Sequence, residues 1–217
     1  LPRPALFDAA LQAATPVSSF TPVNFNDPLY ILYSSGTTGA PKCIVHGVGG
    51  VILKHITEMR LHSDMGADDR MLFFTTCGWM MWNWMVSGLM IGMPLVTFEG
   101  NPFHPGPQRL WDIAEAEQLT HLGVSAKYID AIRNAGYHPA DSNDLSHLRC
   151  LMSTGSPLSS DGFGFVYEAI RDDVQLCSMS GGTDIIGCFV LGCPVQPVYA
   201  GEIQTRALGL AVEILDD

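Results

Sequence analysis

The sequence predicts an α/β fold built on a mostly parallel sheet with helices on both faces. Three observations carry this. Short apolar runs alternate with longer stretches whose apolar side chains recur at helical spacing. Glycine- and hydroxyl-rich segments follow the strand-like runs instead of scattering through the chain. Finally, 47% of the 217 residues are hydrophobic and only 15% are charged, against a usual charged share of about 25%. That composition can supply a sheet buried on both sides.

Residues 1–28 combine prolines with Asn and Asp and read as an irregular lead-in. Leu29 to Tyr33 is a strand, stopped by Ser34-Ser35-Gly36-Thr37-Thr38-Gly39-Ala40-Pro41-Lys42. Cys43 to His46 is a short strand. Val51, Ile52, Lys54, His55, Ile56, Met59 and Arg60 then follow helical spacing, with the apolar members on one side. Met71 to Thr75 is a strand, and Trp82 to Ile91 a helix closed by Gly92 and Pro94. Leu95 to Phe98 is a strand. Pro107 to Gln118 is a helix, with Pro107 suited to its first turn. His121 to Val124 is a strand and Ala126 to Asn134 a helix ended by Gly136. Cys150 to Met152 is a strand, Ser159 to Arg171 a helix, and Val174 to Cys177 a strand. In such sheets ligands bind beyond the carboxyl ends of the strands. Four polar loops follow strands, at 34–42, 75–82, 153–157 and 178–184, and they are candidates for one shared site.

Charge and cysteine usage exclude several classes. The chain carries 11 basic and 22 acidic residues, net −11, which argues against nucleic-acid and anionic-membrane partners. An anionic small molecule can still bind where the local potential is positive. Cys43, Cys77, Cys150, Cys177, Cys188 and Cys193 show no C-x-x-C spacing and read as buried or incidental thiols of a reducing, cytoplasmic compartment. The seven histidines form no H-E-x-x-H, so no zinc site is expected. Leu1 to Ala14 lacks the basic start and apolar run of a signal peptide. Residues 71–98 are uncharged, but Gly78, Asn83, Ser87, Gly88, Gly92 and Pro94 divide them into short elements rather than one span.

Residues 34–42 are the most informative stretch. Gly36 and Gly39 let a backbone approach a ligand closely. The hydroxyls of Ser34, Ser35, Thr37 and Thr38, with nearby amides, can bond phosphate oxygens, and Lys42 adds a mobile positive charge. A Walker loop needs glycine directly before lysine, and here Ala40-Pro41 stand there.

The order Tyr33 to Lys42 resembles the phosphate-binding signature of the adenylate-forming superfamily, which includes acyl-CoA synthetases, luciferases and peptide-synthetase adenylation domains. Further ordered segments share the resemblance. They are His46 with Gly49-Gly50, then Gly78-Trp79, then Gly88 and Gly92 with Phe98-Glu99-Gly100 and Pro102. Gly155-Ser156-Pro157, Ser178-Met179-Ser180-Gly181-Gly182-Thr183-Asp184 and Gly201-Glu202-Ile203 follow. Within the superfamily, Ser180 to Asp184 and Leu122 to Tyr128 resemble the branch that activates acetoacetate.

The resemblance implies a ligase that uses ATP, Mg²⁺ and coenzyme A, with residues 29–217 as part of the large N-terminal adenylation domain. It implies that Lys42 and residues Ser34 to Gly39 hold the β- and γ-phosphates, that Thr183 meets the α-phosphate, and that Asp184 holds the metal. Gly155, Ser156 and Pro157 would border the adenine on one side, and Ser178, Met179, Ser180, Gly181 and Gly182 on the other, with Met179 in place of a stacking aromatic. Trp79, Met80, Met81, Thr154 and Gly181 would line the acid pocket, where glycine at 181 leaves room beyond acetate. Ser125, Lys127 or Trp79 would donate to the keto oxygen. A C-terminal lysine-bearing domain and a longer N-terminal part, present in relatives, are absent from these residues, so the piece alone is expected to be inactive. Two further readings stand beside this one. The parent protein could activate another short- or medium-chain acid, or the chain could bind ATP without turning it over.

Overall fold

The computed structural model describes residues 6–34 and 41–215. The lead-in differs from expectation at one point: Phe7–Ala13 forms a helix, α1. Alanine, leucine and glutamine are strong helix formers, and Asp8 sits in the first turn, where the helix dipole favours an anion. None of its residues is buried.

Strand β1 (Pro28–Ser34) pairs antiparallel with β2 (Lys42–Gly47), with Tyr33 opposite Cys43 and Ile31 opposite Val45. Lys42 therefore opens a strand and does not lie within a loop; Ser35 to Ala40 fall outside the described residues. Helix α2 (Val48–Thr57) continues into a π-helical turn, Glu58–His62.

The centre is a four-stranded parallel sheet in the order β3 (Met71–Phe73), β4 (His121–Ser125), β5 (Cys150–Thr154), β6 (Gln175–Ser178). Between these strands lie α3 (Met80–Val86), a 3₁₀ turn at Ser87–Ile91, α4 (Arg109–Ala116), α5 (Ala126–Asn134) and α6 (Ser160–Ala169). Side chains alternate across the strands. Leu72, Leu122, Val124, Leu151 and Leu176 pack under Trp111, Ile129, Ile132, Phe163 and Val166 of α4 to α6. On the opposite face Met71, Phe73, Cys150, Met152 and Cys177 meet Met59, Met65, Trp84, Met85 and Leu191. Both faces are thus covered, as the composition predicts.

Local chemistry sets the helix ends. Ser125 caps α5 by accepting from Tyr128 N at 3.2 Å, and Ser159 caps α6 by accepting from Gly162 N at 3.1 Å. Helix α4 starts two residues past Pro107, with Gln108 at its cap position. The strand expected at Leu95 to Phe98 shrinks to one bridge, Leu95 beside Met71. Proline at 94 has no N–H to extend the ladder, and Phe98 turns away to pack on Phe74, ring centroids 6.0 Å apart.

A third sheet was not anticipated. Strands β7 (Ser180–Gly182), β8 (Gly187–Leu191) and β9 (Thr205–Arg206) run antiparallel, with an irregularity between Ser180 and Gly181. Among the described residues no helix is long and apolar enough to cross a membrane. Cys150, Cys177 and Cys188 are buried, Cys43 and Cys77 are exposed, and all six cysteines are free thiols.

Candidate functional site

A cleft of about 450 Å³ opens at the carboxyl ends of β5 and β6. Three of the four expected loops build it. The loop after β3 contributes Trp79, with Met80 and Met81 from the start of α3. The turn after β5 contributes Thr154, Gly155, Ser156 and Pro157. The segment after β6 contributes Ser178, Met179, Ser180, Gly181, Gly182 and Thr183. Gly187 and Cys188 of β8 form part of the wall, as do Gly201, Glu202 and Ile203. Cross-strand ties hold the mouth: Met179 N donates to Ser153 O at 2.8 Å, and Thr154 Oγ1 donates to Met179 O at 3.0 Å.

The fourth loop belongs to the β1–β2 hairpin, and among the described residues His46 links that hairpin to the cleft wall. His46 Nε2 lies 2.8 Å from the carbonyl oxygen of Thr183, on the last segment of the cleft wall. Lys42, four residues earlier on the same strand, is exposed and outside the cleft lining. Asp184 is likewise exposed, on the turn that follows β7.

Two residues of the lining are held by their surroundings. Met179 lines the cleft but is only 3% exposed and belongs to the core cluster under the sheet, so it is not free to cover an adenine as an aromatic ring would. A Cβ on Gly181 would stand 2.0 Å from Gly187 O and 2.7 Å from Cys188 Cα. The close approach of β8 therefore requires glycine at this position.

Behind this wall lies a buried polar seam that sequence reading missed. Glu58, 0% exposed, accepts from Trp84 Nε1 at 2.8 Å and from Cys188 N at 2.7 Å, and it pairs with Lys54 Nζ at 2.8 Å. Lys54 Nζ also donates to Cys188 O at 2.7 Å. His55 Nε2 donates to Ile186 O at 2.6 Å. His62 donates through Nδ1 to Gly192 O at 2.8 Å and accepts at Nε2 from Leu208 N at 3.0 Å, which fixes its neutral tautomer. Burial pushes the His55 imidazole below its usual range, against the opposing pull of the Ile186 carbonyl and Glu58. The one signal available in the sequence was the helical spacing of Lys54, His55, Glu58 and His62, which also describes a solvated helix face.

A parallel sheet whose carboxyl ends open into a glycine- and hydroxyl-lined cleft defines a ligand-binding α/β domain, and the chain belongs to the AMP-binding enzyme family, which matches residues 4–217. It is 56% identical over 211 residues to the acetoacetyl-coenzyme A synthetase of Rhizobium meliloti (strain 1021), covering 97% of this chain and 32% of that protein. It is 44% identical over 200 residues to a malonamoyl-CoA synthetase of Penicillium aethiopicum, covering 86% of this chain and 28% of that protein. The solved acetoacetyl-CoA synthetase from Streptomyces lividans superimposes with a TM-score of 0.87 at 44% identity, covering 93% of this chain and 32% of that one. The chain thus spans about a third of the length of these relatives.

Proposed function

We propose that this chain is the nucleotide- and acid-binding core of an acid–thiol ligase that activates acetoacetate with ATP and passes the acyl group to coenzyme A. The observation that supports it best is the single cleft in which Trp79, the Gly155 to Pro157 turn and the Ser178 to Thr183 segment meet, in a chain 56% identical to an acetoacetyl-coenzyme A synthetase.

The first step joins a carboxylate oxygen to the α-phosphorus of ATP and releases pyrophosphate. Two like unit charges about 4 Å apart repel by roughly 4 kcal/mol at an effective dielectric near 20. Donors and cations must offset that. Lys42 and the segment Ser34 to Gly39 hold the outer phosphates, and Thr183 offers its hydroxyl to the α-phosphate. Gly155, Ser156 and Pro157 border the base on one side, and Ser178 with Ser180 to Gly182 on the other. The His46 contact keeps the phosphate hairpin against Thr183. Asp184 is exposed, and no group of three or more His, Cys, Asp or Glu that could hold a metal occurs among the described residues. One carboxylate completed by phosphate oxygens suits Mg²⁺. Asp184 would hold that ion, whose charge offsets the phosphates. In the second step the coenzyme A thiol loses its proton, its sulfur bonds the acyl carbon, and AMP leaves. Free thiols throughout fit a reducing, cytoplasmic setting.

A second reading is favoured by the malonamoyl-CoA synthetase among the relatives. Acetoacetate and malonamate both carry a carbonyl oxygen on the third carbon, so the parent protein would serve another acid of that class. The test is pyrophosphate release by the full-length protein containing this chain, with Mg-ATP, coenzyme A and one of acetoacetate, malonamate, acetate, butyrate or 3-hydroxybutyrate. Acetoacetate leading by more than tenfold supports the first reading, and malonamate leading replaces it with the second. Nucleotide binding without pyrophosphate release from any acid overturns both. The 217 residues alone are expected to release none.

A further inference from the structure

The cleft brings together Trp79, Met80, Met81, Thr154 and Gly181, the residues expected to line the acid pocket. Acetoacetate and butyrate differ there by one oxygen atom. A change of one methylene in an apolar pocket alters selectivity by only about 10–200-fold, whereas a site built to hydrogen-bond a substrate group rejects analogues lacking it far more strongly. The wall should therefore carry a donor aimed at that oxygen.

Elimination leaves one side chain. Met80, Met81 and Gly181 have no side-chain donor. Thr154 has one hydroxyl proton, and it goes to Met179 O at 3.0 Å. Ser125 accepts from Tyr128 N and keeps its hydroxyl proton, but it lies outside the cleft wall, and Lys127 is exposed on α5, also outside it. Trp79 remains. Its ring meets Phe73 edge-on, centroids 6.0 Å apart, and its six-membered edge lies 3.6 Å from where a Cβ on Gly155 would stand. The ring is thus confined from two sides. Its indole N–H donates to no described residue, and it is not among the buried polar atoms left without a partner. The contrast with its neighbours is direct: Trp84 donates to Glu58 at 2.8 Å, and Trp111 Nε1 is sealed in the core.

We propose that the indole N–H of Trp79 is the donor to the carbonyl oxygen on the third carbon of the acid, which makes the site selective for 3-carbonyl acids over their deoxy analogues. This inference rests on the acid-pocket reading above. The test measures kcat/KM for acetoacetate and for butyrate in the full-length protein, its Trp79→Phe variant and its Ser125→Ala variant. Phenylalanine keeps an aromatic ring beside Phe73 and removes only the donor. The acetoacetate-to-butyrate ratio should fall roughly tenfold or more in Trp79→Phe and hold in Ser125→Ala. An unchanged ratio in Trp79→Phe, or an equal fall in Ser125→Ala, overturns the proposal. A ratio near one in the unsubstituted protein overturns the acid reading itself. Should Trp79→Phe not fold, ¹⁵N spectra of the unsubstituted protein decide. The Trp79 indole resonance, assigned through its contact with Phe73, should move on adding acetoacetate but not butyrate; no movement with acetoacetate overturns the assignment.

Discussion

His46 Nε2 donates to the main-chain carbonyl of Thr183 at 2.8 Å, bridging 137 positions of sequence. This bond ties β2, the strand that Lys42 opens, to the rim of the cleft. Replacing His46 with alanine removes a hydrogen bond worth about 1 kcal/mol. ATP affinity of the full-length protein should weaken roughly fivefold, measured by calorimetric titration. Unaltered affinity would show that the hairpin is placed by other contacts.

Glu58 is buried and serves three donors at once. Truncation to alanine leaves Lys54, Trp84 Nε1 and Cys188 N without it. Breaking a buried charge pair in this way costs about 3–5 kcal/mol. Glu58→Gln, which keeps one acceptor oxygen, should lose less. Urea unfolding of both variants checks the order.

Burial lowers the imidazole of His55, and burial likewise lowers His121, with Ser63 O and Asp69 pulling the other way. A group whose folded value lies below its ordinary 6.5 binds fewer protons folded than unfolded. Its contribution is therefore complete above that value and lost as the pH falls through 6.5 toward the folded value. The urea midpoint should drop between about pH 7 and pH 5, and His55→Gln should flatten the slope. A midpoint independent of pH across that window would contradict the burial of both rings.

Two glycine substitutions should move in opposite directions. Gly164 lies inside α6, and a methyl added there would meet nothing within 4 Å, so Gly164→Ala should stabilise by about 0.5–1 kcal/mol. Gly181→Ala would force a methyl against Gly187 O at 2.0 Å and should destabilise by about 1–3 kcal/mol. Paired thermal melts give the comparison.

The central sheet and its helices were legible because their cores repeat. Leu122 and Val124, or Leu151 and the run to Thr154, announce buried strands, and Ile129 with Ile132 announces a helix face. The cleft was legible because its loops follow those strands. Strands β8 and β9 were not, since Gly187 to Leu191 and Thr205 to Arg206 are short runs that pair only within their own small sheet. Nor was the seam of Lys54, His55, Glu58 and His62, whose partners are Trp84, Ser87 and residues 186–208. For Gly181 and Met179 the sequence located the residue, but the direction of its Cβ or side chain emerges only from the neighbouring strand.

The partners of that seam are far apart in time as well as in sequence. Cys188 stands 130 residues after Glu58, and Ile186 stands 131 after His55. At a synthesis rate of about 5–20 residues per second, the second half of each bond follows the first by on the order of ten seconds. For that interval Glu58 and His55 have only their nearer partners, Lys54, Trp84 and Ser87, and lack Cys188 and Ile186. The seam is therefore complete only once residues 186–188 have been made.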